Sequence, residues 1–136
     1  MMIEKYIKMC MEAKKLQEGW VPKIGNRFVP LNPRTWSGVD YVNTDFIIWQ
    51  REKVFRQEDF IFLPTQEQLQ EMYKQHRKSI GECDCGECIL QQMNCFTQAY
   101  FGDTHRMDID INMLWLLLVM ATTSDTETMF KLCSTL

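Results

Sequence analysis

Residues 60–72 read Phe60-Ile61-Phe62-Leu63-Pro64-Thr65-Gln66-Glu67-Gln68-Leu69-Gln70-Glu71-Met72. Four consecutive apolar residues, rich in aromatic and β-branched types, stop at a proline, and a helical pattern begins at once. Phe60 to Leu63 is therefore expected as a strand, and because the run is continuous, as a central one buried on both faces. Thr65 with Gln68 makes a capping box, the hydroxyl accepting the Gln68 amide while the Gln68 side chain reaches back. Leu69, Met72, Tyr73 and His76 then form an inward stripe, with Glu67, Glu71, Lys74, Arg77 and Lys78 toward water, and Gly81 ends the helix.

Upstream, Ile3, Tyr6, Ile7, Cys10, Ala13 and Lys14 follow the spacing of one helical stripe, and Gly19 and Pro22 supply the stop. Between about Ile24 and Leu63 the pattern changes to strands and turns. Arg27-Phe28-Val29 and Phe46-Ile47-Ile48-Trp49 are strand-like, with Pro30, Asn32-Pro33 and Ser37-Gly38 as punctuation and Arg51 to Asp59 as a connection. Downstream, Ile89 to Phe101 is expected as a helix with Ile89, Met93, Phe96 and Tyr100 on one face. Asp110 caps an apolar helix from Ile111 to about Ala121, which buries Trp115. Ser124 with Glu127 opens a last helix with Met129, Phe130 and Cys133 inward. The fold class is α+β: an N-terminal helix, a small and mainly antiparallel sheet, and C-terminal helices packed on one face. One domain over residues 1–136 is expected, since neither a repeat nor a long linker interrupts the chain.

The 136 residues are 46% hydrophobic and 24% charged, which excludes wholesale disorder. A net charge of −3 argues against direct nucleic-acid binding over a broad basic face. The longest apolar run, Met113 to Ala121, is too short to span a bilayer, and the start lacks a secretory pattern, so a cytoplasmic location with no membrane partner is expected.

Catalytic signatures are scarce. The sequence has no phosphate loop, no nucleophile elbow and two histidines, His76 and His105, so no enzyme is expected. Asp108-Ile109-Asp110-Ile111-Asn112 imitates the start of a calcium loop, but Met113 and Val119 stand where Gly and Glu are required. Cys10 and Cys133 read as core residues. Chemistry concentrates in Cys83-Asp84-Cys85-Gly86-Glu87-Cys88, with Cys95 close behind. The Cys85 to Cys88 spacing is that of a thiol redox motif, but it follows a helix instead of a strand, and Glu82, Asp84 and Glu87 are expected to raise the thiol pKa values. Zinc suits these residues better: Cys83, Cys85, Cys88 and Cys95, with His105 as the alternative ligand, would hold one structural ion. A bare cysteine-rich loop is the competing reading.

Three blocks carry a family resemblance: Trp20-Val21-Pro22-Lys23-Ile24-Gly25-Asn26-Arg27-Phe28, Leu63-Pro64-Thr65-Gln66-Glu67-Gln68-Leu69-Gln70-Glu71-Met72, and Leu114-Trp115-Leu116-Leu117-Leu118-Val119-Met120. In order and wording they resemble small uncharacterised proteins encoded by phages and prophages of Gram-positive bacteria. The resemblance implies a viral origin and an accessory role. On that footing the expected function is non-enzymatic binding and inhibition of a host protein, such as a CRISPR or other antiphage-defence component. The alternative is a protein that binds or sequesters a nucleotide signal in a pocket between subunits, which keeps a homodimer open. Each block also has a structural reading, with Trp20 and Trp115 as core anchors and Pro64-Thr65 as a strand-to-helix junction.

Overall fold

A computed structural model describes residues 2–32, 38–44, 46, 59–102, 110–123 and 125–135. Along the chain these form α1 (Met2–Glu12), α2 (Lys14–Glu18), β1 (Arg27–Pro30), β2 (Asp40–Tyr41), β3 (Phe60–Phe62), α3 (Gln66–Ser79), α4 (Gly86–Phe101), α5 (Ile111–Ala121) and α6 (Thr126–Thr135). The three strands make an antiparallel sheet in the order β2-β1-β3. The α+β class, the N-terminal helix and the C-terminal helices are as expected from the sequence.

Alternation along the strands divides the apolar side chains between two clusters. Val29 and Ile61 are directly paired and enter the main core with Leu63. That core also takes Tyr6, Ile7 and Cys10 of α1, Leu69 and Tyr73 of α3, and the buried residues of α4 to α6. Phe28 and Phe62, also paired, point the other way and join Trp20 and Val42 in a smaller cluster. Here the Trp20 ring stacks on Phe62 at 5.1 Å, nearly parallel, and its indole N–H donates to Asn26 Oδ1 at 3.1 Å. Both faces of β3 are thus buried as its continuous apolar run requires, yet among the described strands it lies at the sheet edge and β1 is central. That corrects the expected central position.

The edge is covered by a side chain. Gln17 Nε2 donates to the Phe62 carbonyl at 2.9 Å, and its Oε1 accepts the Phe62 amide at 2.7 Å. One side-chain amide therefore stands in for the peptide of a neighbouring strand. The same Nε2 donates to the Cys10 carbonyl at 3.1 Å, beside the point where the N-terminal helix breaks at Ala13. The sequence pattern runs through Ala13 without interruption, so the break is a departure from expectation. The short α2 it creates has no side-chain cap of its own, and buried Asp125 accepts the Lys15 backbone N–H at 3.0 Å from across the chain.

Several expected elements shift. Phe46 is helical instead of the start of a strand, its amide taken by Asn43 Oδ1 at 2.9 Å, as at an N-cap; Ile47 to Trp49 lie outside the described residues. The helix expected from Ile89 begins at Gly86, inside the cysteine cluster. Phe130, expected inward, is 46% exposed and meets Tyr100 instead, whereas Met129 is buried and Cys133 half-buried. Ser124 lies outside the described residues. On α3, Met72 turns outward while Arg77, expected in water, is only 7% exposed. Three local expectations hold: the Thr65–Gln68 capping box is complete, Asp110 accepts the Met113 amide at 2.9 Å, and Trp115 is 1% exposed. No helix among the described residues is long and apolar enough to cross a membrane.

Candidate metal centre

The corner between α3 and α4 starts with a glycine. Gly81 has φ +76°, a left-handed conformation that costs little without a Cβ. Its N–H donates to the Lys78 carbonyl and the Glu82 N–H to the Arg77 carbonyl, the paired bonds of a Schellman turn. That turn folds the acidic segment back over the basic last turn of α3. Arg77 Nη2 lies 3.5 Å from Glu82 Oε2, and Lys78 Nζ lies 3.6 Å from Asp84 Oδ2. The Arg77 Nε–H also donates to the Cys83 carbonyl, which fixes where the cysteine segment crosses α3. Burying Arg77 is tolerable because its donors meet a carbonyl and a carboxylate.

Cys85 is the N-cap of α4. Its backbone is extended, at φ −68° and ψ 157°, and its sulfur accepts the Cys88 amide at 3.4 Å. An N-cap side chain lies over the third residue of its helix, so the Cys-x-x-Cys spacing superposes the two sulfurs. Cys83 joins them, and the Sγ atoms of Cys83, Cys85 and Cys88 all lie within 4.8 Å of one another. Cys83 and Cys85 are exposed and Cys88 is half-buried.

The thiols share protons unequally. Cys85 is held below its ordinary value, first by the Cys88 amide and then by the S–H groups of Cys88 and Cys83. Cys88 is pushed up to about 12, chiefly because it donates its S–H to Cys85 and then to Cys83. The expectation that the neighbouring acids raise all these thiols is therefore overturned at Cys85. Glu82 and Asp84 are occupied by Arg77 and Lys78, and the start of α4 offers an amide instead of a negative field.

Of the five expected ligands, the structure brings three together. Cys95 is exposed on α4, seven residues beyond Cys88, or about 10 Å along the helix axis. It is outside the cluster because α4 starts earlier than the sequence pattern suggested. His105 lies outside the described residues. Arg77 is the residue that sequence reasoning missed; its signal was a charged side chain one helical turn beyond Tyr73, in line with Leu69 and Tyr73. Elsewhere, burial pushes the Tyr6 hydroxyl and the Cys10 thiol well above their ordinary ranges, and the Tyr6 hydroxyl donates to the Pro64 carbonyl. Both groups are structural.

Three thiolates so placed can hold a metal ion. Tetrahedral zinc at about 2.3 Å from sulfur sets neighbouring sulfurs about 3.8 Å apart, so a shift of roughly 1 Å closes the cluster on an ion. Fold and site together define a small α+β protein with an exposed three-thiol corner. No family model matches the chain, and no curated protein or solved structure matches it either.

Proposed function

We propose that this chain is a phage accessory protein that acts by binding, not catalysis: in the host cytoplasm it docks on a host protein, of the antiphage-defence class, and inhibits it. One zinc ion on Cys83, Cys85 and Cys88 orders the α3–α4 corner, with a water or His105 as fourth ligand. The observation that carries the docking reading lies in the block Trp20 to Phe28. The fold accounts for Trp20, Pro22 and Phe28, which are buried, for Gly25 at φ +93°, and for Asn26, which receives the Trp20 indole. It does not use Val21 and Ile24, which are 67% and 70% exposed. Tyr41, at 60%, adds to them, since Ile24 and Tyr41 flank the Gly25 N–H to Val42 carbonyl bond. Ile24 and Tyr41 at one end of a small sheet, with exposed Val21 three residues before Ile24, suit a protein partner, whose contact removes them from water.

A nucleotide-binding role has less support. Trp20 is spent on Phe62 and Trp115 is inside the core, so neither offers a face to a base; Trp36 and Trp49 lie outside the described residues.

Affinity capture from host lysate, with wild type beside a Val21→Asp/Ile24→Asp variant, tests the reading. One stoichiometric partner should be held by wild type and lost by the variant, with the same melting temperature for both. Absence of any stoichiometric partner, or equal capture by the two proteins, overturns it. Zinc is tested apart: protein purified without chelator or added metal should carry about one equivalent, falling below about a tenth in Cys85→Ser.

A further inference from the structure

The same corner meets the requirements for a covalent bond. Cys85 and Cys88 occupy the N-cap and third positions of α4, with the Cys85 sulfur already lying against the Cys88 amide. Residues three apart on a helix have Cβ atoms about 5–6 Å apart, and a disulfide needs about 3.5–4.5 Å. The N-cap residue is outside the helical hydrogen-bond ladder on its N-terminal side, so it can close that gap without breaking α4. Cys83, two residues earlier, has its carbonyl fixed by Arg77, which anchors it to α3.

Access and isolation set this pair apart from the three thiols outside the corner. Cys85 is exposed and Cys88 half-buried, so a small oxidant reaches the first and the second is at hand. Cys10 is buried; Cys95 sits two helical turns away; Cys133 lies on α6 with its S–H directed to Met129 Sδ at 3.6 Å.

We propose that Cys85 and Cys88 form a reversible disulfide when a hydroperoxide is present, and that forming it empties the three-sulfur metal site. The Cys85 sulfur attacks the terminal oxygen of the peroxide, the O–O bond breaks, and the alcohol or water leaves with a proton, giving a sulfenic acid. The Cys88 sulfur then attacks the Cys85 sulfur, the S–O bond breaks and water departs with the second proton. In sum two thiols and one hydroperoxide give a disulfide, an alcohol (water for hydrogen peroxide itself) and a water, with two electrons moved from sulfur to oxygen. Thiol reductants reverse the bond by exchange. Metal release follows because only Cys83 is left as a thiolate, and one thiolate does not retain zinc against water. This second half rests on the metal reading above; the first half does not.

The test is peptide mapping after hydrogen peroxide at one equivalent, on a Cys95→Ser chain with and without preloaded zinc. Cleavage after Asp84 and Glu87 puts Cys83, Cys85 and Cys88 on three separate peptides, so a Cys85–Cys88 bond appears as a linked pair. That link should form in this chain and in its Cys83→Ser derivative, disappear with dithiothreitol, and be absent from Cys85→Ser and Cys88→Ser derivatives. A dominant Cys83–Cys88 link, links only between chains, or sulfinic acid without any link would overturn the disulfide. In the loaded chain a chelating dye should record one zinc released per link formed. Zinc retained after the link has formed would overturn the emptying of the site. A chain that forms the link but never binds zinc supports the disulfide and defeats the metal reading alone.

Discussion

Replacing Gln17 by Ala removes a side chain that serves three backbone groups at once. The Phe62 amide and carbonyl lose the Gln17 partner, from bonds of 2.7 and 2.9 Å, and the Cys10 carbonyl loses one of two donors, at 3.1 Å, keeping the Ala13 N–H. Phe62 and Cys10 are themselves buried, whereas Gln17 is half-buried, so water re-enters on one side only. At about 1 kcal/mol net per hydrogen bond, with some repair by water, the expected loss is about 2–4 kcal/mol. Alanine's better helix propensity in α2 returns only a few tenths. For a chain of this size that corresponds to a fall of roughly 10 °C in melting temperature. Urea unfolding should give the same loss with an unchanged m-value, since the surface exposed on unfolding is the same. Gln17→Glu provides the control: it keeps the length and the acceptor for the Phe62 amide but sets a carboxylate against two carbonyls. It should be at least as damaging at pH 7 and should recover in part below about pH 4, where the protonated acid regains one donor. Should Gln17→Ala cost under about 0.5 kcal/mol and the Glu variant show no such recovery, the edge-covering role assigned to this side chain is wrong.

Trp115→Ala should cost about 3–5 kcal/mol by chemical denaturation, since the ring is enclosed by the main core and meets Tyr73 edge-on; an unchanged midpoint would mean that α5 is not a core helix. Asp125→Ala removes a side-chain acceptor from the start of α2 and should cost about 1–2 kcal/mol, most of it restored by Asn, which keeps an acceptor oxygen; equal losses in the two variants would refute the capping role. In the reduced, metal-free chain, Cys85, whose value is lowered, ionises before Cys88, which is pushed up to about 12. Iodoacetamide at pH 7.5 should therefore label Cys85 well ahead of Cys88, read by mass spectrometry of quenched time points, and the reverse order would contradict the hydrogen-bond direction between the two sulfurs.

Local signals were legible in the chain and distant ones were not. The capping box at Thr65, the cap at Asp110 and the stop at Gly81 each involve residues within one helical turn, and each is present. The break at Ala13 is different: nothing near Ala13 announces it, and its partner group, Gln17, is engaged with Phe62 forty-five residues away. The position of β3 at the edge is equally non-local, because a run buried on both faces looks central whether its outer edge meets another strand or the Gln17 side chain. Arg77 was assigned to water by its charge alone, although it stands on the same helical line as Leu69 and Tyr73. What buries it is a carbonyl and a carboxylate delivered by the turn that follows.

At the thiol corner, counting acids along the sequence misjudged the field. Glu82 and Asp84 are adjacent to the sulfurs in the chain, but the Schellman turn at Gly81 pairs them with Arg77 and Lys78 and gives the sulfurs the start of α4 instead. The cysteines involved span only six residues, so the cluster forms from local geometry, tied to α3 by the Arg77 N–H to the Cys83 carbonyl and by the Arg77–Glu82 and Lys78–Asp84 pairs. Exposed Val21 and Ile24 lie elsewhere, in the segment between Trp20 and β1, and exposed Tyr41 lies in β2. On the proposed reading, changes at the sulfurs that alter metal content therefore need not alter docking, and changes at Val21 and Ile24 need not alter metal content. If capture of a partner nonetheless followed the oxidation state of Cys85 and Cys88, the α3–α4 corner itself would have to be part of the docking surface.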